Sequence, residues 1–150
     1  MVHHFVSLCG GIFMNARHPS LAVDCVAFDP GGRLLLIRRK NPPFEGQYAL
    51  PGGYVEYGET TERAAARELA EETGLVVTNV SLVGVYSDPH RDPRGHVVSV
   101  AYWIETASHD PIAGDDAAEA VFVANWEDLD LGFDHHSIVA DAVRLRSACG

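Results

Sequence analysis

Residues 52–75 read GGYVEYGETTERAAARELAEETGL, and the rest of the chain is best read outward from them. The second half of the stretch carries the signals of one helix over residues 60–73. Thr60 is an N-cap candidate, Glu62 puts an anion in the first turn, and Gly74 suits the left-handed position that ends a helix. Glu68, Glu71 and Glu72 stand at i, i+3 and i+4 and share one narrow face. Leu69, Ala65 and Ala66 turn toward another side and can pack on a sheet. Ala64 falls on the glutamate face one turn before Glu68, where its small side chain would leave room for a ligand. Arg67, four residues before Glu71, can bridge or orient a carboxylate.

A solvated acidic face is the ordinary explanation for such a helix. Like charges at i, i+4 nevertheless repel by roughly 0.2–0.5 kcal/mol a pair, and no lysine is interspersed here. A hard divalent cation would turn that repulsion into binding, since Mg²⁺ takes carboxylate, carbonyl and water oxygens. The spacing therefore favours a metal site.

The stretch resembles the signature of the Nudix hydrolases, G-x5-E-x7-R-E-U-x-E-E-x-G-U, where U is a bulky aliphatic. Gly53, Glu59, Arg67, Glu68, Leu69, Glu71, Glu72, Gly74 and Leu75 fill all its fixed positions. The flanking LLLIRR and ALPGG are similar to the family as well. The resemblance implies an α+β chain with the Nudix fold, an α/β/α sandwich around a mixed β-sheet. It also implies hydrolysis of a nucleoside diphosphate linked to another group, with Mg²⁺ as cofactor and Mn²⁺ as the alternative ion. On the matching positions, Glu68 and Glu72 would be the principal metal ligands and Glu71 a further ligand or a partner of metal-bound water. The Gly52 carbonyl would be another ligand. Arg67 would hold Glu59 or a metal-binding glutamate, and Gly53 and Gly74 would serve backbone geometry. Glu68, Glu71, Glu72 and Arg67 are thus the expected catalytic set.

Outward from the helix, residues 21–28 and 33–39 read as strands joined by the Asp29-Pro30-Gly31-Gly32 turn. Residues 75–86, 97–105 and 118–124 read as further strands, and 135–146 as a closing amphipathic helix. Hairpins with few helices give a mixed α+β order, with no βαβ repeat. We expect a single domain over residues 1–150, since this length suits one core.

Residues 87–99, SDPHRDPRGHVVS, concentrate turns, two arginines and two histidines between strands. They resemble the ADP-ribose pyrophosphatase branch of the family, in which a proline about fifteen residues beyond the signature marks the substrate; Pro89 holds that place. Residues 19–28 and Phe133-Asp134-His135 are similar to the same branch. The same features occur in related transcriptional regulators that bind ADP-ribose and carry an added winged-helix domain, for which this chain is too short. Substrate-binding candidates are Arg38, Arg39, Pro89, Arg91 and Arg94. Alternation along a strand sends one of Arg38 and Arg39 toward the phosphates and the other away. Phe44 and Tyr48 are open to base stacking or to core packing. Asp115, Asp116 and Glu119 are equal candidates for a further carboxylate acting on water. ADP-ribose, giving AMP and ribose 5-phosphate, is the leading substrate. NADH, a dinucleoside polyphosphate or an oxidised dNTP is the alternative, and a silent nucleotide-sensing module a third reading.

Twenty-one acids against eleven Lys and Arg give a net charge of −10. That balance argues against polymeric nucleic acid or an anionic membrane as partner, and leaves a small nucleotide. Between Gly95 and Val143 there are ten acids and no Lys or Arg, so the few arginines elsewhere can still mark an anion site. The apolar runs are too short to span a bilayer. No basic-then-apolar leader opens the chain, which points to the cytoplasm. Cys9, Cys25 and Cys149 make no metal or disulfide pattern and are expected to be reduced. His3, His4, His135 and His136 are expected in loops or at the surface. Relatives of the ADP-ribose branch are often homodimers, and the apolar stretches near both ends could serve such an interface.

Overall fold

The computed structural model describes residues 17–107 and 109–149. Strand β1 (Ser20–Phe28) is mostly apolar, and it is buried without a break from Val23 to Phe28. A strand buried on both faces needs a layer on each side. Helix α1 (Thr61–Thr73) and helix α2 (His135–Cys149) supply those layers. Val23, Cys25 and Ala27 pack with Ala64, Ala65 and Leu69 of α1, while Val26 and Phe28 join Ile138, Val139 and Ala142 of α2. The period of two in the strand thus distributes one sequence between two cores.

The other strands are β2 (Leu34–Arg39), β3 (Tyr48–Ala49), β4 (Gly52–Tyr54), β5 (Ser81–Tyr86), β6 (Val97–Glu105) and β7 (Ala117–Val123). Their order is β3-β2-β1-β6-β5, with β4 pairing β1 and β7 pairing β2. β1 runs parallel to β6 from Ser20↔Val97 to Phe28↔Glu105, and the remaining pairs are antiparallel. The result is the α/β/α sandwich around a mixed sheet that the signature implies. The β1–β2 turn closes as expected, with Asp29 Oδ1 accepting from Arg33 N–H at 2.8 Å.

Two expectations about elements change. The strand expected over residues 75–86 begins only at Ser81. Leu75 and Val77 do pack against the α1 core while Val76 is exposed, so the alternation recorded burial and not ladder pairing. Ala64 is fully buried against Val23 and Cys25 instead of leaving room for a ligand. The buried stripe of α1 is wide enough to take in the residue one turn before Glu68.

Cys25 and Cys149 are free thiols. Cys25 is buried, its thiol facing the Ala65 carbonyl at 3.4 Å, and burial pushes its pKa well up, as suits an inert group. His3, His4, Cys9 and the N-terminal apolar stretch lie outside the described residues. No helix among the described residues is long and apolar enough to cross a membrane.

Candidate active site

Arg67 organises the glutamate face. Thr60 caps α1 by accepting from Arg63 N–H, and Gly74 ends it at φ 72° with its N–H on the Ala70 carbonyl. That fixed helix presents the Arg67 guanidinium to the loop before it. Nε and Nη2 grip Glu59 at 2.7 and 2.9 Å, and Nη2 also reaches the Tyr54 carbonyl at 3.0 Å. Nη1 donates to Glu68 at 2.8 Å and to Glu71 at 3.2 Å. The bidentate grip, helped by the Glu56 N–H, pulls the Glu59 carboxyl down to about 2. Burial raises the Glu68 carboxyl against the pull of Arg67.

Glu72 is different. Among the described residues its carboxylate takes a single hydrogen bond, from Gly52 N–H at 3.1 Å to Oε2. Burial, with the charges of Glu68, Asp24 and Asp116 nearby, pushes it up to about 8. Gly52 and Gly53 bring β4 against this face. A Cβ at Gly53 would lie 2.5 Å from the Glu68 carboxylate carbon, and one at Gly52 would lie 2.2 Å from the Val23 carbonyl oxygen. Neither glycine has a positive φ. Gly53 therefore serves by leaving room for a carboxylate, which corrects the expected conformational role; Gly74 does fill that role.

Among the described residues, no three His, Cys, Asp or Glu side chains converge closely enough to hold an ion as they stand, because Arg67 draws Glu68 and Glu71 to itself. The donor set still fits a hard divalent cation. It offers carboxylate and carbonyl oxygens, a crowd of acidic groups around Glu72 whose repulsion a cation would relieve, and a cradle that a single Cβ would fill.

Beside this face lies a cleft lined by Asp24, Arg39, Gly52, Gly53, Tyr54, Arg91, Arg94, Phe133 and His135, among others. Of the two adjacent arginines, Arg39 faces the cleft. Arg38 points elsewhere, bound to Glu119 at 3.2 Å and Tyr48 at 2.9 Å. Among the described residues Arg39 has no carboxylate within ion-pair reach; its Nε donates to the Pro43 carbonyl at 2.6 Å. Burial and the neighbouring Arg94 lower its pKa. The Arg39 and Arg94 guanidiniums both sit over the Phe133 ring, at 5.1 and 5.7 Å from its centroid. Phe133 packs on Phe44 at 4.7 Å, and both have the left-handed φ that non-glycine residues rarely adopt.

The loop after β5 is less free than its sequence suggests. Arg94 is held by Asp92, at 2.7 Å from Nη2. The Arg91 side chain is 4% exposed, doubly bonded to Asp134 at 2.7 and 2.9 Å and 3.4 Å from Asp24. It lines the cleft as a fixed tie, whereas the Arg94 side chain lines it half-exposed. Pro89 is exposed in the turn and is not part of the cleft lining.

Gly114 brings a second loop to the C-terminal end of α1. Its N–H donates to the Glu72 carbonyl at 3.0 Å, and Ile112 N–H donates to the Thr73 carbonyl at 2.8 Å. A Cβ at Gly114 would lie 2.1 Å from the Glu71 carbonyl oxygen. Of the three acidic candidates that follow, Asp116 is the one whose charge bears on Glu72. Glu119 is committed to Arg38 and Tyr48.

Sequence reasoning missed Asp24, Tyr54 and Phe133 as cleft residues and placed His135 at the surface, whereas His135 is 4% exposed. Asp24 did carry a signal: a charged residue inside an apolar strand needs a buried partner. His135 carried none, since nothing local marks which of two adjacent histidines turns inward.

A sequence model of the NUDIX domain matches residues 18–143. The chain is 48% identical over 130 residues to an ADP-ribose pyrophosphatase of Methanocaldococcus jannaschii, covering 87% of this chain and 76% of that one. It is 35% identical over 132 residues to an ADPR-responsive transcriptional repressor of Acinetobacter baylyi, covering 83% of this chain and about half of the repressor, 53%. Among solved structures, the NUDIX domain of Shewanella oneidensis NrtR in complex with ADP-ribose superposes with a TM-score of 0.79 at 28% identity, covering 87% and 90% of the two chains. A MutT/nudix family protein of Enterococcus faecalis reaches 0.84 at 32% identity, covering 92% and 66%.

Proposed function

The chain belongs to the Nudix family and is a Nudix pyrophosphohydrolase, and from that premise we propose that it hydrolyses ADP-ribose to AMP and ribose 5-phosphate. The observation that carries the substrate reading is the cleft itself. In a protein of net charge −10, Arg39 is held half-buried next to Gly52 and Gly53 with no carboxylate of the described residues in ion-pair reach. A pyrophosphate is the anion such a place suits, and the Tyr54 and Phe133 rings beside it offer faces to a sugar or base. The identity to the M. jannaschii enzyme and the likeness to an ADP-ribose-bound domain support the same substrate.

Glu68, Glu72, Glu71 and the Gly52 carbonyl would hold Mg²⁺, or Mn²⁺ in its place. When bound, the ion supplies charge neutralisation at the pyrophosphate and a more acidic water. The chain's own residues do the rest. Arg67 keeps Glu68 and Glu71 on the cleft side of α1 and ties Glu59 to the helix. Arg39 and Arg94 hold the substrate's phosphates through charge-assisted hydrogen bonds. Water's oxygen bonds to one phosphorus as that phosphorus releases the bridging oxygen, and Asp116, whose charge bears on Glu72 from the loop that Gly114 ties to α1, receives the water's proton. Arg91 keeps the 87–96 loop in place without touching substrate.

The similarity to a repressor favours one second reading, a sensor that binds ADP-ribose without cleaving it. Purified protein incubated with ADP-ribose, NADH, a dinucleoside polyphosphate and an oxidised dNTP, with and without Mg²⁺, decides between them by product chromatography. AMP and ribose 5-phosphate formed fastest from ADP-ribose, only with the metal, is the expected result. Tight binding without products would establish the sensor, and a better dNTP or dinucleotide would overturn the substrate.

A further inference from the structure

Leu50 lies between β3 and β4 and is 3% exposed. Its N–H is cut off from water and needs a partner inside the protein. The partner is an imidazole: Leu50 N–H donates to His135 Nδ1 at 2.9 Å. An accepting Nδ1 leaves the ring proton on Nε2, and Nε2 faces Asp24 Oδ1 at 3.2 Å. Asp24 Oδ2 accepts from Ser99 Oγ at 2.5 Å and meets Arg91 Nη2 at 3.4 Å. Arg91 in turn grips Asp134, the residue before His135. The ring is thus held at both nitrogens by a network that closes on the start of α2.

The tied peptide is two residues from Gly52. Pro51 has no N–H, and its carbonyl accepts from Cys25 N–H at 2.8 Å. Gly52 N–H is spent on Glu72. A Cβ at Gly52 would stand 2.8 Å from Asp24 Oδ1, so the carboxylate that holds His135 also backs the Gly52 peptide. A carbonyl has no rotamer to adjust. Its direction follows from what holds the peptides around it, and on the α2 side that is the Asp24–His135 pair.

We propose that His135 is a positioning residue for the metal site, which sets the aim of the Gly52 carbonyl by accepting the Leu50 N–H. This rests on the reading of Gly52 as a metal ligand. The role belongs to Nδ1, because that atom takes the backbone proton, while Nε2 secures the ring. An asparagine at this position places an amide oxygen where Nδ1 stands and keeps the acceptor. A glutamine reaches the Asp24 side and loses it.

Mn²⁺ binding to the full chain without substrate, followed by electron paramagnetic resonance, tests this. His135→Gln should bind Mn²⁺ roughly tenfold to a hundredfold more weakly than the wild type, the range for residues that orient a metal ligand. His135→Asn should stay within about threefold of the wild type, although both variants lose stability, the asparagine by loosening Asp24 and the glutamine by stranding the Leu50 N–H. Equal Mn²⁺ affinity in all three proteins, or equal weakening in both variants, would overturn the proposal. A wild type that takes up no Mn²⁺ would instead overturn the metal reading on which it stands. If the variants do not fold, the wild type still answers. An ¹⁵N–¹⁵N coupling across the hydrogen bond between Leu50 N and His135 Nδ1 should be visible, and its absence would remove the tie.

Discussion

Replacing Gly53 with alanine should damage catalysis more than stability, and the reason is local. The added Cβ would lie 2.5 Å from both Cδ and Oε1 of Glu68 and 2.6 Å from its Oε2. Those atoms end a flexible side chain, and φ at Gly53 is not left-handed, so Glu68 swings aside and the backbone stays. The swing breaks the Arg67–Glu68 bond of 2.8 Å between side chains that are 22% and 14% exposed. Such a partly exposed pair is worth about 1 kcal/mol, which for a chain of this size lowers Tm by roughly 2–4 °C. A displaced metal ligand should cost about 10–100-fold in turnover. Gly114→Ala is the contrast. Its Cβ meets the Glu71 carbonyl at 2.1 Å, backbone against backbone, so the loop itself must leave. Losing the Gly114 and Ile112 hydrogen bonds to α1 costs about 2–3 kcal/mol, and Tm should fall by roughly 4–12 °C. Scanning calorimetry and steady-state hydrolysis measure both variants. Full activity in Gly53→Ala, or a Tm loss there as large as in Gly114→Ala, would refute the view that Gly53 exists to admit Glu68.

Glu72→Gln keeps the shape of a metal ligand and removes its charge. Turnover should fall by orders of magnitude, and the Mg²⁺-induced rise in Tm, about 2.7 kcal/mol of stabilisation at a hundredfold excess over Kd for the wild type, should shrink; near-normal turnover would exclude Glu72 as a ligand. Glu59 is held at about 2 against an ordinary 4.5, so its stabilising grip on Arg67 is whole above pH 4.5 and is lost as pH falls toward 2. The Tm gap between wild type and Glu59→Gln should therefore be constant above about pH 5 and close as the solution is acidified to pH 2, and a gap that persists would disprove the coupling. Arg39→Ala should raise KM for ADP-ribose with little change in Tm, whereas Arg91→Ala should lower Tm by removing the buried tie between Asp134 and Asp24. Melting curves and kinetics that rank the two arginines the other way would reverse their roles.

Much of α1 and the crowding of its glutamates was legible in residues 52–75, because caps and helical spacing act within a turn or two. The β1–β2 hairpin and the end of α1 at Gly74 follow from equally short-range rules. Other features depend on partners far along the chain. That residues 21–28 form a strand was visible in their composition, but nothing in residues 20–28 says that 97–105 will lie parallel to them. Alternation promised that one of Arg38 and Arg39 would face the phosphates; only the placement of Glu119 and Tyr48 shows which is turned away. His135 looks like its neighbour His136 until Leu50 presents a buried N–H to it across 85 residues. Arg91 looked free until Asp134, just before α2, met it. Local sequence determines which faces a segment would bury and which charges crowd together. Which distant group meets each face, and therefore whether a polar side chain is spent on the fold or left for a ligand, is decided only when the layers close.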